Sequence, residues 1–194
     1  MIRRAFRTLS ALRRARIFHP RGTARRAVVT VDDGPHHLDA LAGRHDALVR
    51  LSRGLGIPSP APDVLGVAIK LLGVHGRRRD QDLLLATAVR FVPLPRRSLR
   101  RGIASSIAPY RNRRRERFLV GGRWRGDGFD LLTARPLRRW RVVGRVELDA
   151  GAAVPDRPLR FSPWTTGGGL VPAGWLNRAR RPAYAGSQEG RPDT

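Results

Sequence analysis

The sequence predicts a mainly β protein in which short antiparallel strands form a barrel or a sandwich. Its 194 residues are 41% hydrophobic, which is a globular composition and enough for one folded domain. The 21 glycines and 15 prolines indicate many turns. Short strand-like runs recur between these turns without alternating long helices, and this arrangement is typical of antiparallel all-β folds.

The chain begins with a predicted amphipathic helix over residues 1–16. Ile2, Phe6, Leu9 and Leu12 recur at helical spacing, and arginines occupy the other faces. The apolar stripe is narrow, so docking on the domain is favoured over binding to a membrane surface. The strand-rich domain then covers residues 17–162.

Eight strand-like runs follow, at residues 27–31, 47–52, 64–72, 82–92, 117–120, 129–133, 141–148 and 159–161. Turn signals separate them, including Gly121-Gly122 and the segment 126–128. The arginine-dense region 98–115 is expected to be a long loop with one helical turn. Residues 163–194 are expected to be a tail with a short helix, anchored by Trp164 and Trp175.

The chain has a net charge of +24, carried almost wholly by arginine, because Lys70 is its single lysine. Such a charge raises the alternatives of nucleic acid or an anionic membrane surface as partner. However, aromatic residues make up only 6%, arginine is spread along the whole chain, and no RNA-binding or zinc-finger motif occurs. We therefore expect no specific nucleic-acid partner.

The chain contains no cysteine, which excludes disulfides, thiolate metal sites and cysteine nucleophiles. Its most apolar run, residues 64–74, is too short to span a bilayer. Arginines interrupt residues 1–16 where a signal peptide needs an apolar core. These features predict a soluble, cytoplasmic protein.

Acidic residues and histidines gather at residues 32–39, in the segment DDGPHHLD. The composition is that of a metal site, but the segment contains glycine and proline and lacks an ordered ligand spacing. A solvated loop is the favoured interpretation, and no metal is assigned to it.

Four segments resemble, in order, the barrel segments of the haem catalases. They are RIFHPRG at 16–22, VRLS at 49–52, PDVLGVAIKL at 62–71 and DLLLAT at 82–87. The family patterns are a histidine in H-x-K-G, then V-R-F-S, D-x-R-G-x-A-x-K-F and W-D-L-x-x-N-N. The sequence as a whole is similar to short catalase-like proteins of high-GC bacteria. The resemblance implies a catalase-like antiparallel β-barrel with an N-terminal helix and a C-terminal helical tail.

The resemblance also implies roles for five residues near a haem. His19 takes the place of the distal histidine, which moves a proton between the two oxygens of peroxide. Ser52 matches the serine that holds this histidine in one tautomer. Phe18 would pack against the porphyrin, and Arg16 and Arg50 match arginines that pair with the haem propionates.

The family's proximal ligand is a tyrosinate in the pattern R-x-x-x-Y, with another arginine seven residues later. Tyr184 fits this pattern, with Arg180 before it and Arg191 after it. The two cations would favour the charged phenolate. Pro182 weighs against a helix through Arg180. Tyr110 is a weaker candidate, and an amphipathic surface role is the alternative for both tyrosines.

The function implied is that of a protein that binds haem b and has weak, peroxidase-like activity with hydrogen peroxide or an organic peroxide. Activity is expected to be weak because Ala86, beside Thr87, stands where the family has its distal asparagine. A haem-free barrel that serves as a binding or structural module is the alternative. A phosphodiesterase is less favoured, because no metal cluster or acid–base pair is evident. The family also implies a homo-oligomer.

Overall fold

The computed structural model describes residues 21–54, 56–89, 92–151, 153–155, 159–174 and 177. Within them, the regular secondary structure is β apart from the 3-10 turn Asp39–Leu41 and Asn177, which is helical. The strands are β1 (Arg21–Val31), β2 (Gly43–Arg53), β3 (Leu65–Leu71), β4 (Gln81–Val89), β5 (Val92–Pro93), β6 (Ile103–Ser105), β7 (Tyr110–Arg111), β8 (Arg117–Arg125), β9 (Gly128–Ala134), β10 (Arg141–Leu148) and β11 (Val171–Pro172). The predicted helix 1–16 lies outside the described residues. Of the predicted tail 163–194, residues 163–174 and 177 are described, and the stretch 163–174 contains β11 and turns rather than a helix.

Eight of these strands form a closed antiparallel barrel, as predicted. The order around the barrel is β8-β6-β4-β3-β2-β1-β10-β9. The pairing of β8 with β9, from Leu119 opposite Ala134 to Arg125 opposite Gly128, closes the ring. Because each barrel strand has two neighbours, closure leaves no free sheet edge in it. Strands β5, β7 and β11 pair outside this ring.

Alternating side chains build the core inside the barrel. On β3, Val67, Ile69 and Leu71 are at most 5% exposed and belong to the central cluster, whereas Ala68 and Lys70 are half-buried on the outer face. The same alternation on β2 sends Val49 inward. A period of two residues is what one buried sheet face requires.

One end of the barrel is closed by two connections. Leu38 and Leu41, from the segment between β1 and β2, are each 1% exposed, and Leu170 reaches the same core from the C-terminal segment. His37 stacks on Phe118 with ring centroids 4.8 Å apart. These contacts cover the core near Phe118, at the start of β8, and hold the loop 32–38 against the barrel.

The C-terminal segment 162–167 is held by the start of β4. The buried Gln81 side chain accepts hydrogen bonds from the Thr166 hydroxyl (3.0 Å) and the Gly167 amide (3.2 Å). Asp82 accepts a hydrogen bond from the Ser162 amide at 2.8 Å, and its own amide donates to the Thr165 carbonyl. Polar groups that are buried need such partners, so these bonds fix the segment to the wall.

Three local predictions were wrong. The region 98–115 contains the short strands β6 and β7 rather than a helical turn, and residues 159–161 form no strand. Gly121 and Gly122, read as a turn, lie inside β8. They are needed there for packing, because an added Cβ at Gly121 would lie 2.7 Å from the Trp140 ring and one at Gly122 would lie 3.1 Å from Phe129. Glycine in a strand often marks such close approach.

Candidate functional site

The barrel places Ser52 and Ala86 in one row on its outer face. Ser52 on β2 is opposite Gly22 on β1 and Gly66 on β3, and Gly66 is opposite Ala86 on β4. Because Leu51 packs on the core, its neighbour Ser52 points outward. The structure thus brings together the positions that the resemblance assigns to the distal serine and asparagine.

Arg50 lies on the same outer face, two residues before Ser52. Its guanidinium group covers Gly22, since a Cβ added there would lie 2.7 Å from Arg50 Cζ. Its pairing partners, Ala24 and Ala68, are also small. Small residues therefore surround Arg50 on this part of the outer face. A guanidinium group is chemically suited to pair with a carboxylate, such as a haem propionate.

Six residues of the predicted haem site lie outside the described residues: Arg16, Phe18, His19, Arg180, Tyr184 and Arg191. Tyr110, the weaker candidate for the iron ligand, is described. It is 2% exposed and belongs to the core cluster, with its ring centroid 6.3 Å from that of Phe118. A surface role for Tyr110 is therefore wrong, and its ring is packed away from the outer row of Ser52.

The row continues into a pocket that the sequence did not predict. Ser105 on β6 is opposite Ala86 and Gly121, and it lies at a cavity of about 270 Å³. The cavity is lined by Ala88, Ile103, Ser105, Leu119, Ala134, Arg135, Leu137, Arg138 and Trp140. Ser105 is 4% exposed, and its hydroxyl has no hydrogen-bond partner among the described residues. A buried hydroxyl of this kind calls for a partner from water or ligand.

The segment after β9 forms the outer wall of this pocket. Trp140 approaches the backbone of Gly121, the direct neighbour of Ser105, and Leu137 holds a positive φ of 64°. Leu137 is 75% exposed despite its apolar side chain. The pocket therefore has a buried serine at its floor, an aromatic wall, and exposed arginines at its rim.

A second cavity, also of about 270 Å³, adjoins the first and shares Ala134, Arg135 and Arg138 with it. Five arginines line this second cavity: Arg114, Arg135, Arg138, Arg139 and Arg141. Glu116 is its single carboxylate, and it pairs with Arg135 at 2.7 Å. The excess of guanidinium groups makes this an anion-attracting cleft.

The ionisable groups of the cleft favour a neutral histidine beside a charged glutamate. Burial lowers the pKa of His37, Arg135 and Arg141 lower it further, and Glu116 acts in the opposite direction. Hydrogen bonds from Asn112 and Arg135 lower the pKa of Glu116. The His37 Nδ1 atom lies 3.2 Å from the Thr133 hydroxyl. The lowered pKa favours the neutral form of His37, so the positive charge of the cleft comes mainly from its arginines.

No group of three or more metal-binding side chains is found among the residues that the structure describes. In the acidic and histidine-rich loop, His36 donates to the Asp32 carbonyl at 2.7 Å and Asp39 pairs with Arg114 at 2.5 Å. Over the same part of the chain, no helix has the length and apolarity needed to cross a membrane.

Comparison with known proteins gives no assignment: no family model matches the chain, and no curated protein matches it. The catalase resemblance therefore rests on the four short segments and on the arrangement of their residues in the barrel. The pocket at Ser105 was missed because its lining comes from segments that are far apart in sequence, and a Ser-Ser pair carries no signal of its own.

Proposed function

We propose that the protein is a haem-binding, catalase-related barrel with weak peroxide-dependent oxidoreductase activity. The observation that supports this proposal is the outer row in which Ser52, Gly66 and Ala86 are neighbours on successive strands, with Arg50 beside them. The row consists of small residues with the Arg50 guanidinium group beside it, a composition compatible with one wall of a haem site. The closed antiparallel barrel also agrees with the expected fold class.

The roles follow from the chemistry of each group. In this proposal His19 would hold and move a proton, Ser52 would fix its tautomer, and Arg50 would neutralise a propionate. Tyr184 would hold the iron, and Arg180 and Arg191 would favour its phenolate. Haem, when bound, supplies the redox chemistry with peroxide. Ala86 offers only a methyl group, so a peroxide receives no hydrogen bond from it and activity is weak.

The first test is the absorption spectrum of the full chain after expression with added haem. The wild type should show a Soret band, and Tyr184→Phe should shift or abolish it. Tyr110→Phe is the matched control, because Tyr110 is packed in the core. Absence of a Soret band in the wild type would overturn the proposal, and an unchanged band in Tyr184→Phe would overturn the ligand assignment.

A second test addresses the wall that the structure describes. Arg50→Ala should weaken haem binding about tenfold, because a charge-assisted bond to a propionate is lost. Arg44→Ala removes the same charge from a side chain that is 69% exposed and pairs with Glu147. Equal effects of the two substitutions would show that Arg50 contributes only its charge, and not a specific contact.

The second candidate is a haem-free barrel that binds a small molecule. One observation favours it: the buried Ser105 hydroxyl lies unpaired within the described structure, at a cavity of about 270 Å³. This volume is close to the lower end of the range for small-molecule sites. The absorption spectrum separates the two candidates, because only the first requires a Soret band.

A further inference from the structure

We infer that the pocket at Ser105 binds a small organic acid with an apolar or aromatic body, a hydroxyl group at its buried end and a carboxylate at its exposed end. The inference deepens the binding-module candidate and does not depend on haem. Three independent features of the pocket carry it: its floor, its walls and its rim.

The floor requires a polar atom from the ligand. The Ser105 hydroxyl is buried and has no partner in the described part of the chain, whereas the adjacent Ser106 accepts a hydrogen bond from the Val120 amide at 3.2 Å. A buried polar group without a partner costs free energy. A ligand hydroxyl, which can both donate and accept, would satisfy Ser105 in either orientation.

The walls require an apolar body. Ile103, Leu119 and Leu137 contribute aliphatic side chains, and Trp140 contributes an indole ring. Gly121 lets this ring lie against β8, because an added Cβ would be 2.7 Å from it. A flat ring between an indole and aliphatic groups gains contact area at little conformational cost. A fully polar ligand, such as inorganic phosphate or a sugar, would leave these walls without suitable contacts.

The rim requires an anion. Arg135 and Arg138 border both cavities, and Arg114, Arg139 and Arg141 lie around the adjoining cleft. Arg135 is already paired with Glu116, but Arg138 has no ion-pair partner among the described residues. A carboxylate at the rim can therefore accept hydrogen bonds from Arg138, and the surrounding cations add long-range attraction.

The test is isothermal titration calorimetry of the full-length protein with 3-(4-hydroxyphenyl)propionate as probe. Two analogues of the probe test the contributions of the floor and the rim separately. The first, 3-phenylpropionate, lacks the hydroxyl, and the second, tyramine, has an ammonium group in place of the carboxylate. We expect 3-phenylpropionate to bind about fivefold more weakly than the probe, because it cannot form the hydrogen bond to Ser105. We expect tyramine to bind at least about tenfold more weakly, because its charge is repelled.

Two pairs of variants locate the site. Ser105→Ala should bind 3-(4-hydroxyphenyl)propionate no more tightly than 3-phenylpropionate. Ser106→Ala should keep the wild-type preference for the hydroxylated acid, although its melting temperature should be lower. Arg138→Ala should weaken binding of both acids about fivefold, whereas Arg77→Ala, equal in charge but outside the pocket, should leave it unchanged. Ser105→Ala is not expected to destabilise the fold, because it breaks no hydrogen bond among the described residues.

The outcomes decide the proposal without reference to haem. Absence of binding by the probe, or equal affinity for probe and tyramine, would overturn the site. If Ser105→Ala still bound the hydroxylated acid more tightly than 3-phenylpropionate, the hydrogen bond proposed between Ser105 and the ligand hydroxyl would be wrong. A Soret band, present or absent, bears on the haem proposal alone, so the two proposals fail separately.

Discussion

Asp82 carries a carboxyl group whose protonation is coupled to folding. It is fully buried, accepts a hydrogen bond from Lys70 at 2.7 Å, and binds the Ser162 amide at 2.8 Å. Burial raises its pKa from the ordinary 3.8 to about 6, although Lys70 and the Ser162 hydrogen bond act in the opposite direction. Desolvation therefore outweighs the ion pair at this position.

This pKa predicts how stability changes with pH. The folded-state pKa lies above the unfolded one, so the contribution of Asp82 is fully present below about pH 4 and is lost as the pH rises through about 6. The stability advantage of the wild type over Asp82→Asn should thus shrink by about 2–3 kcal/mol between those limits. Urea unfolding at a series of pH values measures it.

Asp127→Asn is the control, because the Asp127 side chain is 76% exposed and pairs with Arg145 on the surface. As a pair on the surface, it should contribute less than about 1 kcal/mol to the free energy of unfolding. If the advantage over Asp82→Asn grew with pH, the Lys70 contact would outweigh burial and the assigned direction would be wrong.

The pairing of β1 with β10 depends on one glycine. Gly144 on β10 is opposite Val31 on β1, and it lies at a β-bulge where the pairing of β10 with β9 shifts register between Val142 and Gly144. An added Cβ at Gly144 would lie only 2.2 Å from the Thr30 carbonyl oxygen on β1. Neither strand can move away easily, because both are held on their other side by further barrel strands.

We expect Gly144→Ala to lower the free energy of unfolding by about 3 kcal/mol or more, because the backbones must separate to admit the methyl group. Chemical denaturation followed by circular dichroism measures this change. Val142→Ala, which alters a 52% exposed side chain on the same strand, should cost less than about 0.5 kcal/mol. Similar costs for both variants would mean that the strands yield at the bulge.

Strand positions were predictable where one face is buried. The run 141–148 matches β10, and the run 64–72 matches β3 to within one residue at each end. Alternation or continuous apolar character marks such strands in the sequence. Strands β6, β7 and β11 were missed because they have two or three residues each, too few for a period to show.

The whole chain carries a net charge of +24, and this charge should set its response to salt. Five arginines line one cleft, so they repel each other more strongly in the folded chain than in the expanded one. Salt screens this repulsion, with a Debye length of about 30 Å at 0.01 M and about 8 Å at 0.15 M.

We therefore expect the melting temperature to rise as sodium chloride increases across that range, as followed by differential scanning calorimetry. Sodium sulfate at equal ionic strength should raise it further, since a divalent anion can also occupy the arginine cleft. A melting temperature that falls with salt would show instead that attractive pairs such as Arg135 with Glu116 dominate the surface electrostatics.

The sequence by itself determined the fold class, because turn residues and short apolar runs restrict the chain to antiparallel strands, and their local patterns are visible without contacts. It also marked Arg50, Ser52 and Ala86 as related positions. Only the tertiary structure decided that Ser52, Gly66, Ala86 and Ser105 form one row, that Tyr110 is in the core, and that Ser105 faces a pocket. The physical reason is strand register: it makes residues 14 to 20 positions apart direct neighbours and so links Ser52 to Ser105, 53 positions away, in one row. The hydrogen bonds open to a buried group depend on such neighbours.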